Sequence, residues 1–276
     1  MKTILIPVDF SDTARNSAQY AAGLAKWLGF EKLVLFNAYN MPLATEMSWA
    51  VMQVDELKEI SEHGLEEFSK TLSAELGDDI LIECRSEFGF LTDQLESLAL
   101  ELQPNLIVMG ITGGGKLEEA LIGSNTVHVV YHTKIPVLIV PPEASWQPVK
   151  NIGWACDYKD VMKTTPVETI KKVISLFSAN LVVAHNDSDP HSFNPDTLVG
   201  NVQISGMFKE LDPTFVRVSN DHFAEAMNEF TEEYKIDLLL AVPKKLSWLD
   251  SLFHRSHTKM LAFHSHVPLL CVQGLD

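Results

Sequence analysis

The chain has 276 residues, 46% of them hydrophobic, with three cysteines and a formal net charge of -16 at pH 7. That length and apolar content supply two domains of ordinary size with a core each, and so large an acidic surplus repels phosphodiester backbones, so nucleic acid is not expected as a partner. No apolar run approaches the ~18 residues of a membrane helix, and the opening MKTILIPVDF lacks a signal-like hydrophobic segment, so a cytoplasmic protein with no membrane association is expected.

Thr3 to Val8 reads as a strand ending at Pro7-Val8-Asp9. Ser11-Asp12 then caps a helix over Asp12 to Trp27, which Gly29 stops. Leu33 to Ala38 is a second strand. The acidic stretch from Asp55 to Glu75 repeats its apolar positions at helical spacing, which predicts a helix from Met47 to Leu76 with a solvated charged face. Met41 to Met52, with Trp49, is apolar enough to cover a cleft or meet a partner, although methionine and aromatic residues at this spacing are usually core. Strands at Ile80 to Arg85, Leu106 to Gly110 and Val137 to Val140 alternate with helices at Leu91 to Leu102 and Asn125 to His132. Such alternation predicts a parallel sheet with helices on both faces.

The pattern then repeats. Lys150 to Asp157 lies over Lys2 to Asp9, Leu181 to Asn186 over Leu33 to Ala38, and Val267 to Val272 over Ile135 to Val140. A tandem duplication follows, with domains over 1–145 and 146–276, a linker near Pro141 to Pro148, and a second copy that is the shorter between its second and last strands. In that copy Ile152 to Cys156, Leu181 to Ala184, Phe215 to Val218, Leu238 to Val242 and Leu269 to Val272 take the strand positions. Cys84, Cys156 and Cys271 are widely spaced, form no CxxC or zinc grouping, and read as reduced core residues.

The segment from Leu106 to Ser124 carries the most chemistry. A strand enters a loop with Gly110, Gly113, Gly114 and Gly115, and a second glycine-led turn, Gly123-Ser124, opens the next helix at Asn125. Glycines reach φ > 0 and lack a Cβ, so successive amides converge on an oxyanion, and a helix N-terminus adds unpaired donors. The alternative is a tight strand-to-helix turn with a flexible tip. Ligands of such sheets sit at the carboxyl ends of the strands, where Asp9, Ala38 and Gly110 all fall. Asp9 is placed to accept hydrogen bonds from a ribose or an adenine amino group, Ala38 and Met109 to wall a base, and Ser124 to add a hydroxyl donor. Asp9 and Ser124 also fit helix-cap or turn positions. Lys116 either neutralises a terminal phosphate or is a solvated loop lysine. A P-loop is not supported, because Leu117 stands where serine or threonine must reach magnesium, and no GxGxxG follows the first strand.

Gly110, two residues, Gly113, nine residues and Gly123-Ser124 match the phosphate-loop pattern of the universal stress protein family. The opening KTILIPVDFSDTARNSAQYAAGLA and the segment IPVLIVPP at Ile135 to Pro142 resemble that family too. The resemblance covers the whole chain at the level of fold, while the loop motif occurs once. It implies an α/β fold of two tandem doubly wound parallel-sheet domains, Rossmann-like and adenine nucleotide alpha hydrolase-like. It implies ATP or AMP, with Mg2+, held by Pro7, Asp9, Ala38, Met109, Gly110, Gly113, Gly123 and Ser124, with Val8 and Asn125 beside them. Ala38 is smaller than the valine common in the family, which loosens the adenine wall. The resemblance also implies pairing of the two halves through Val137 to Val140 and Leu269 to Val272, and a homo-oligomer, a dimer. The function implied is a stress-response nucleotide sensor acting on an unidentified protein partner. A slow ATPase and a nucleotide-free interaction module are the alternatives, and no catalytic residue is assigned.

In the second copy Val242, Lys245 and Arg255 replace Gly110, Gly113 and Gly123, while Ser256 matches Ser124. A β-branched valine resists φ > 0, so the same cradle is not expected. Either this half has lost its ligand, or Lys244, Lys245 and Arg255 hold a different anion. His254, His257, His264 and His266 cluster without cysteines or an HExxH frame, so no metal site is assigned. His185, at the station of Asn37, lines a cleft or is a satisfied strand-end residue.

Overall fold

The computed structural model describes residues 1–41, 54–77, 79–111, 123–156, 158, 160–186, 195–218, 223–243 and 266–275. In chain order the first part comprises β1 (Thr3–Pro7), α1 (Asp12–Leu28), β2 (Lys32–Tyr39), α2 (Val54–Leu76), β3 (Leu81–Phe88), α3 (Leu91–Leu102), β4 (Leu106–Gly110), α4 (Ser124–His132) and β5 (Val137–Val140). The second comprises β6 (Asn151–Ala155), α5 (Val161–Thr164), α6 (Val167–Phe177), β7 (Asn180–Asn186), α7 (Pro195–Met207), β8 (Thr214–Val218), α8 (Phe223–Glu233), β9 (Leu238–Ala241) and β10 (Leu269–Cys271).

β1 is buried along its whole length, as an interior parallel strand covered on both faces must be. Its alternate residues feed two layers. Ile4 and Ile6 face a core with Ala18, Leu24, Leu65 and Phe68 from α1 and α2, and Leu5 faces one with Leu95, Leu98 and Val129 from α3 and α4. α1 starts at Ser11, whose hydroxyl accepts from the Ala14 N–H at 3.2 Å, and ends at Gly29 with φ +63. Its buried face is rich in alanine, so the helix lies close on the sheet.

The ten strands among the described residues form one sheet in the order β3-β2-β1-β4-β5-β10-β9-β6-β7-β8. Each half repeats one doubly wound parallel order, and the two last strands pair antiparallel, with Leu269 opposite Ile139 and Cys271 opposite Val137. The expected pairing of the final strands is therefore present. The segment between the halves is packed rather than loose: Asn16 Nδ2 donates to the Pro141 and Ala144 carbonyls at 2.9 and 3.1 Å. Trp146 lies 5.2 Å from Tyr20 and 5.6 Å from Trp27, which lies 5.9 Å from Phe177 of the second half.

Several boundaries differ from the sequence reading. β2 and β3 run on to Tyr39 and Phe88 because their ladder continues through Ala38 opposite Glu87 and Tyr39 opposite Phe88. α4 begins at Ser124 rather than Asn125. The predicted helical start at Met47 to Gln53, and Trp49 with it, lies outside the described residues. Cys156 and Cys271 are buried as expected, but Cys84 is exposed on β3, an outer strand of the sheet.

Candidate functional site

The carboxyl ends of β1, β2 and β4 open into a cavity of about 240 Å³ lined by Pro7, Val8, Asp9, Ala14, Asn37, Ala38, Leu91, Met109, Gly110, Gly123, Ser124, Asn125 and Thr126. Every site residue expected from sequence is in that lining except Gly113, which lies outside the described residues together with Gly114, Gly115 and Lys116. Residues separated by more than a hundred positions meet here because β1 lies between β2 and β4.

The α4 end of the cavity is built for donors. The Gly123 N–H donates to the Ile111 carbonyl at 2.8 Å, which closes the stem of the loop, and the Val127 N–H returns to the Gly123 carbonyl at 3.0 Å as the first bond of the helix. Gly123 brings no side chain to cap that terminus. The first-turn amides thus have no intrahelical acceptor and carry the positive end of the helix dipole. Ser124 and Asn125 are exposed beside them, while the Thr126 hydroxyl donates to the Gly110 carbonyl at 3.2 Å and ties the helix to the strand end.

Positive φ is not why Gly110 and Gly123 are glycines. Gly123 has φ -63 and ψ 147, and the described glycines with positive φ are Gly29, Gly77 and Gly89. At Gly110 the reason is space: a Cβ there would lie 3.0 Å from the backbone oxygen of Thr13 in α1.

Asp9 is exposed at the mouth. It does not cap α1; its Oδ1 accepts from the Ser11 N–H at 3.1 Å and from the Ser11 hydroxyl, and Ser11 is the cap. Asn37 was not anticipated as a site residue. Its Nδ2 donates to the Val8 carbonyl at 2.7 Å, its Oδ1 accepts from Ser61 Oγ at 2.7 Å, and Ser61 meets Ser86 at 2.6 Å. This buried polar chain fixes the backbone just ahead of Asp9. An amide inside the apolar run LVLFNA was the sequence signal, since a buried polar group must be partnered. Thr126 and Leu91 had no comparable signal.

The second half keeps the frame and changes the contents. Phe10 and Tyr158 follow the matching first strands, and both hold positive φ, +64 and +57. A Cβ on Gly64 would strike the Phe10 ring and one on Gly200 the Tyr158 ring, so each aromatic rests on a glycine of α2 or α7. His185 Nδ1 lies 3.0 Å from the Cys156 carbonyl and, facing an acceptor, carries the proton. It does for Cys156 what Asn37 does for Val8, which makes it a satisfied strand-end residue. Tyr158 stacks on it at 4.2 Å and donates its hydroxyl to Asn201, and burial holds the Tyr158 phenol well above its ordinary pKa. Val242 is buried at the station of Gly110. Asp157, Lys244, Lys245, Arg255, Ser256, His254, His257 and His264 lie outside the described residues. His266 pairs with Glu143 at 3.1 Å. Among the described residues no group of three metal-ligating side chains gathers, and no helix is long and apolar enough to cross a membrane.

A doubly wound parallel sheet with a cleft over its strand ends, walled by an uncapped helix start, defines a Rossmann-like α/β protein. Residues 1–141 match the model of the universal stress protein family. A universal stress protein of Methanocaldococcus jannaschii is 32% identical over 142 residues, covering 50% of this chain and 81% of that protein. Universal stress protein G of Escherichia coli O157:H7 is 28% identical over 142 residues, covering 50% of this chain and 98% of its own. The crystal structure of a universal stress protein from Archaeoglobus fulgidus DSM 4304 aligns with 99% of this chain and 97% of its own, with a TM-score of 0.68 at 19% identity, a likeness of fold. The chain belongs to the universal stress protein family.

Proposed function

We propose that the cleft over β1, β2 and β4 binds one adenine nucleotide, ATP or AMP, and that its occupancy is read by a protein partner as a regulatory signal. The observation that supports this is the convergence of an uncapped helix start, an exposed carboxylate and an apolar wall of Ala38 and Met109 on one cavity. The first-turn amides of α4 and the Ser124 hydroxyl would receive phosphate oxygens, Asp9 would accept from ribose or the adenine amino group, and Gly113 would contribute through its backbone. Among the described residues Asp9 is the single carboxylate in the lining, so Mg2+ would enter as the counter-ion of the phosphates. The chain is proposed to act as two domains, 1–145 with the nucleotide site and 146–276 without it. Supporting the second part, Val242 stands at the station of Gly110, and Tyr158 and His185 stack where the first half has Phe10 and Asn37.

Calorimetric titration of Mg-ATP, and separately of AMP, into the full chain tests the reading. One nucleotide per chain is expected. Gly123→Arg, which copies the residue of the second half onto an unstrained backbone, should weaken binding at least tenfold, ~1.4 kcal/mol. Absence of heat with the folded wild type would overturn the proposal in favour of a nucleotide-free interaction module.

A further inference from the structure

A second cavity, of about 410 Å³, lies between α3 and α4. It shares no lining residue with the cleft over the strand ends, and its volume is within the range of small-molecule sites, roughly 300–1,000 Å³. The floor is apolar: Leu95, Ile107 and Val129 belong to the core layer on that side of the sheet, and Ile135 packs against it.

One wall is flat. His128 and His132, one turn apart on α4, stack with ring centroids 4.0 Å apart and planes 13° from parallel. His132 Nδ1 lies 2.8 Å from the His128 carbonyl and, facing an acceptor, carries a proton. Burial, then His132, holds the His128 imidazole below its ordinary pKa against the opposing pull of Asp93 and Glu96, so at neutral pH the inner ring is uncharged. An aromatic group entering beside these imidazoles meets a planar face above an apolar floor.

The charges of the lining are separated along the groove. α3 and α4 both connect parallel strands and so run the same way, which puts Glu96 and His128 toward one end and Gln103, Thr133 and Lys134 at the other. From Glu96 to Gln103 is two helical turns, ~10 Å. At the Lys134 end the last-turn carbonyls that would favour a cation are occupied, Ala99 by the Gln103 N–H and Val129 by the Thr133 N–H. Lys134 is exposed and pairs with no carboxylate among the described residues. Thr133 Oγ1 accepts from the Ile135 N–H at 3.2 Å, which leaves its own proton for an incoming acceptor. In a chain carrying -16, this end of the cavity presents a free ammonium beside hydroxyl and amide donors.

We infer that the groove binds a small aromatic carboxylate, its ring lying over Ile107 between Ala99 and the stacked histidines and its carboxylate held by Lys134 and Thr133. The flat wall selects the ring, and the unpaired ammonium, two turns from the carboxylate of Glu96, selects the anion. The inference does not rest on nucleotide binding, since the two cavities have separate linings.

Biphenyl-4-carboxylate, titrated into the full chain without nucleotide and followed by calorimetry and isoleucine methyl NMR, tests the site. One ligand per chain is expected, with the Ile107 and Ile135 methyl signals shifting and those of Ile4 and Ile6, in the opposite core layer, unmoved. Biphenyl-4-carboxamide and biphenyl-4-methylamine keep the rings but remove or reverse the charge, and each should bind about tenfold more weakly. Lys134→Glu, at an exposed position, should cost the carboxylate about the same factor while leaving the circular dichroism spectrum and the affinity of the carboxamide unchanged. Ala99→Phe, which fills the groove from the α3 side, should abolish binding of all three. No binding by the wild type, shifts at sites other than the groove, an amine that binds as tightly as the carboxylate, or a carboxylate indifferent to Lys134→Glu would each overturn the inference.

Discussion

At position 37 a buried amide holds the Val8 carbonyl, and at 185 an imidazole holds the Cys156 carbonyl, at 2.7 and 3.0 Å. Two unlike side chains thus satisfy one backbone acceptor at the same strand end, ahead of Asp9 in the first half and of Asp157 in the second. Removing the amide leaves the Val8 carbonyl and Ser61 hydroxyl short of a partner in the interior, which costs about 1–3 kcal/mol. Asn37→Ala should therefore lower the urea midpoint and weaken nucleotide binding together, because the Asp9 backbone loses its anchor. Asn37→His, borrowing the solution of the second half, should recover part of both losses; equal effects of the two substitutions would show that the bond to Val8 is unimportant.

Among the elements, α1 and β3 carry the clearest consequences. Gly23 of α1 is the notch for Trp146: a Cβ there would stand 2.2 Å from the indole, near its root rather than at a movable tip. Gly23→Ala should displace Trp146 and cost about 1–3 kcal/mol through overpacking, read as a lower melting temperature with a partial red shift of tryptophan emission. On β3 the hydrogen bond from Lys32, aided by Arg85, holds the Glu83 carboxyl below its ordinary pKa. A depressed folded pKa stabilises above the unfolded value of about 4.3, and that contribution disappears as pH falls through the folded value. Protection factors of the β3 amides, taken relative to the intrinsic exchange rate at each pH, should fall below pH ~4 in the wild type. Glu83→Gln should lack that component, and an identical acid profile would exclude Glu83 as its source.

Across the whole molecule the antiparallel junction of β5 and β10 turns two five-stranded sheets into one. One layer of the core runs through both halves, from Ile4 and Leu65 to Trp154 and Phe208. Cooperative unfolding in a single transition is expected, so a ligand in the first half stabilises the second as well. At a hundredfold excess over Kd a nucleotide should add ~2.7 kcal/mol, moving one calorimetric peak. Two peaks of which only one shifts would show that the halves unfold separately.

The parallel α/β class was legible in the sequence because the alternation of apolar strand-like runs with helical periods is a local signal. Asp9, Ala38, Gly110, Gly123, Ser124 and Asn125 line one cavity for the topological reason anticipated, as residues at strand ends of a doubly wound sheet and at the helix start beside them. What local signals could not carry was contact between distant parts. The space that makes Gly110 a glycine belongs to Thr13 of α1, the partner that makes Asn37 a site residue is the Val8 carbonyl, and the aromatic that makes Gly200 a glycine is Tyr158. Leu198, Val199 and Val202 of α7 are exposed, but a run such as LVGNV reads the same whether its aliphatic residues face a core or water. Only the tertiary structure decided that, because burial is a property of what packs against a residue and not of the residue itself.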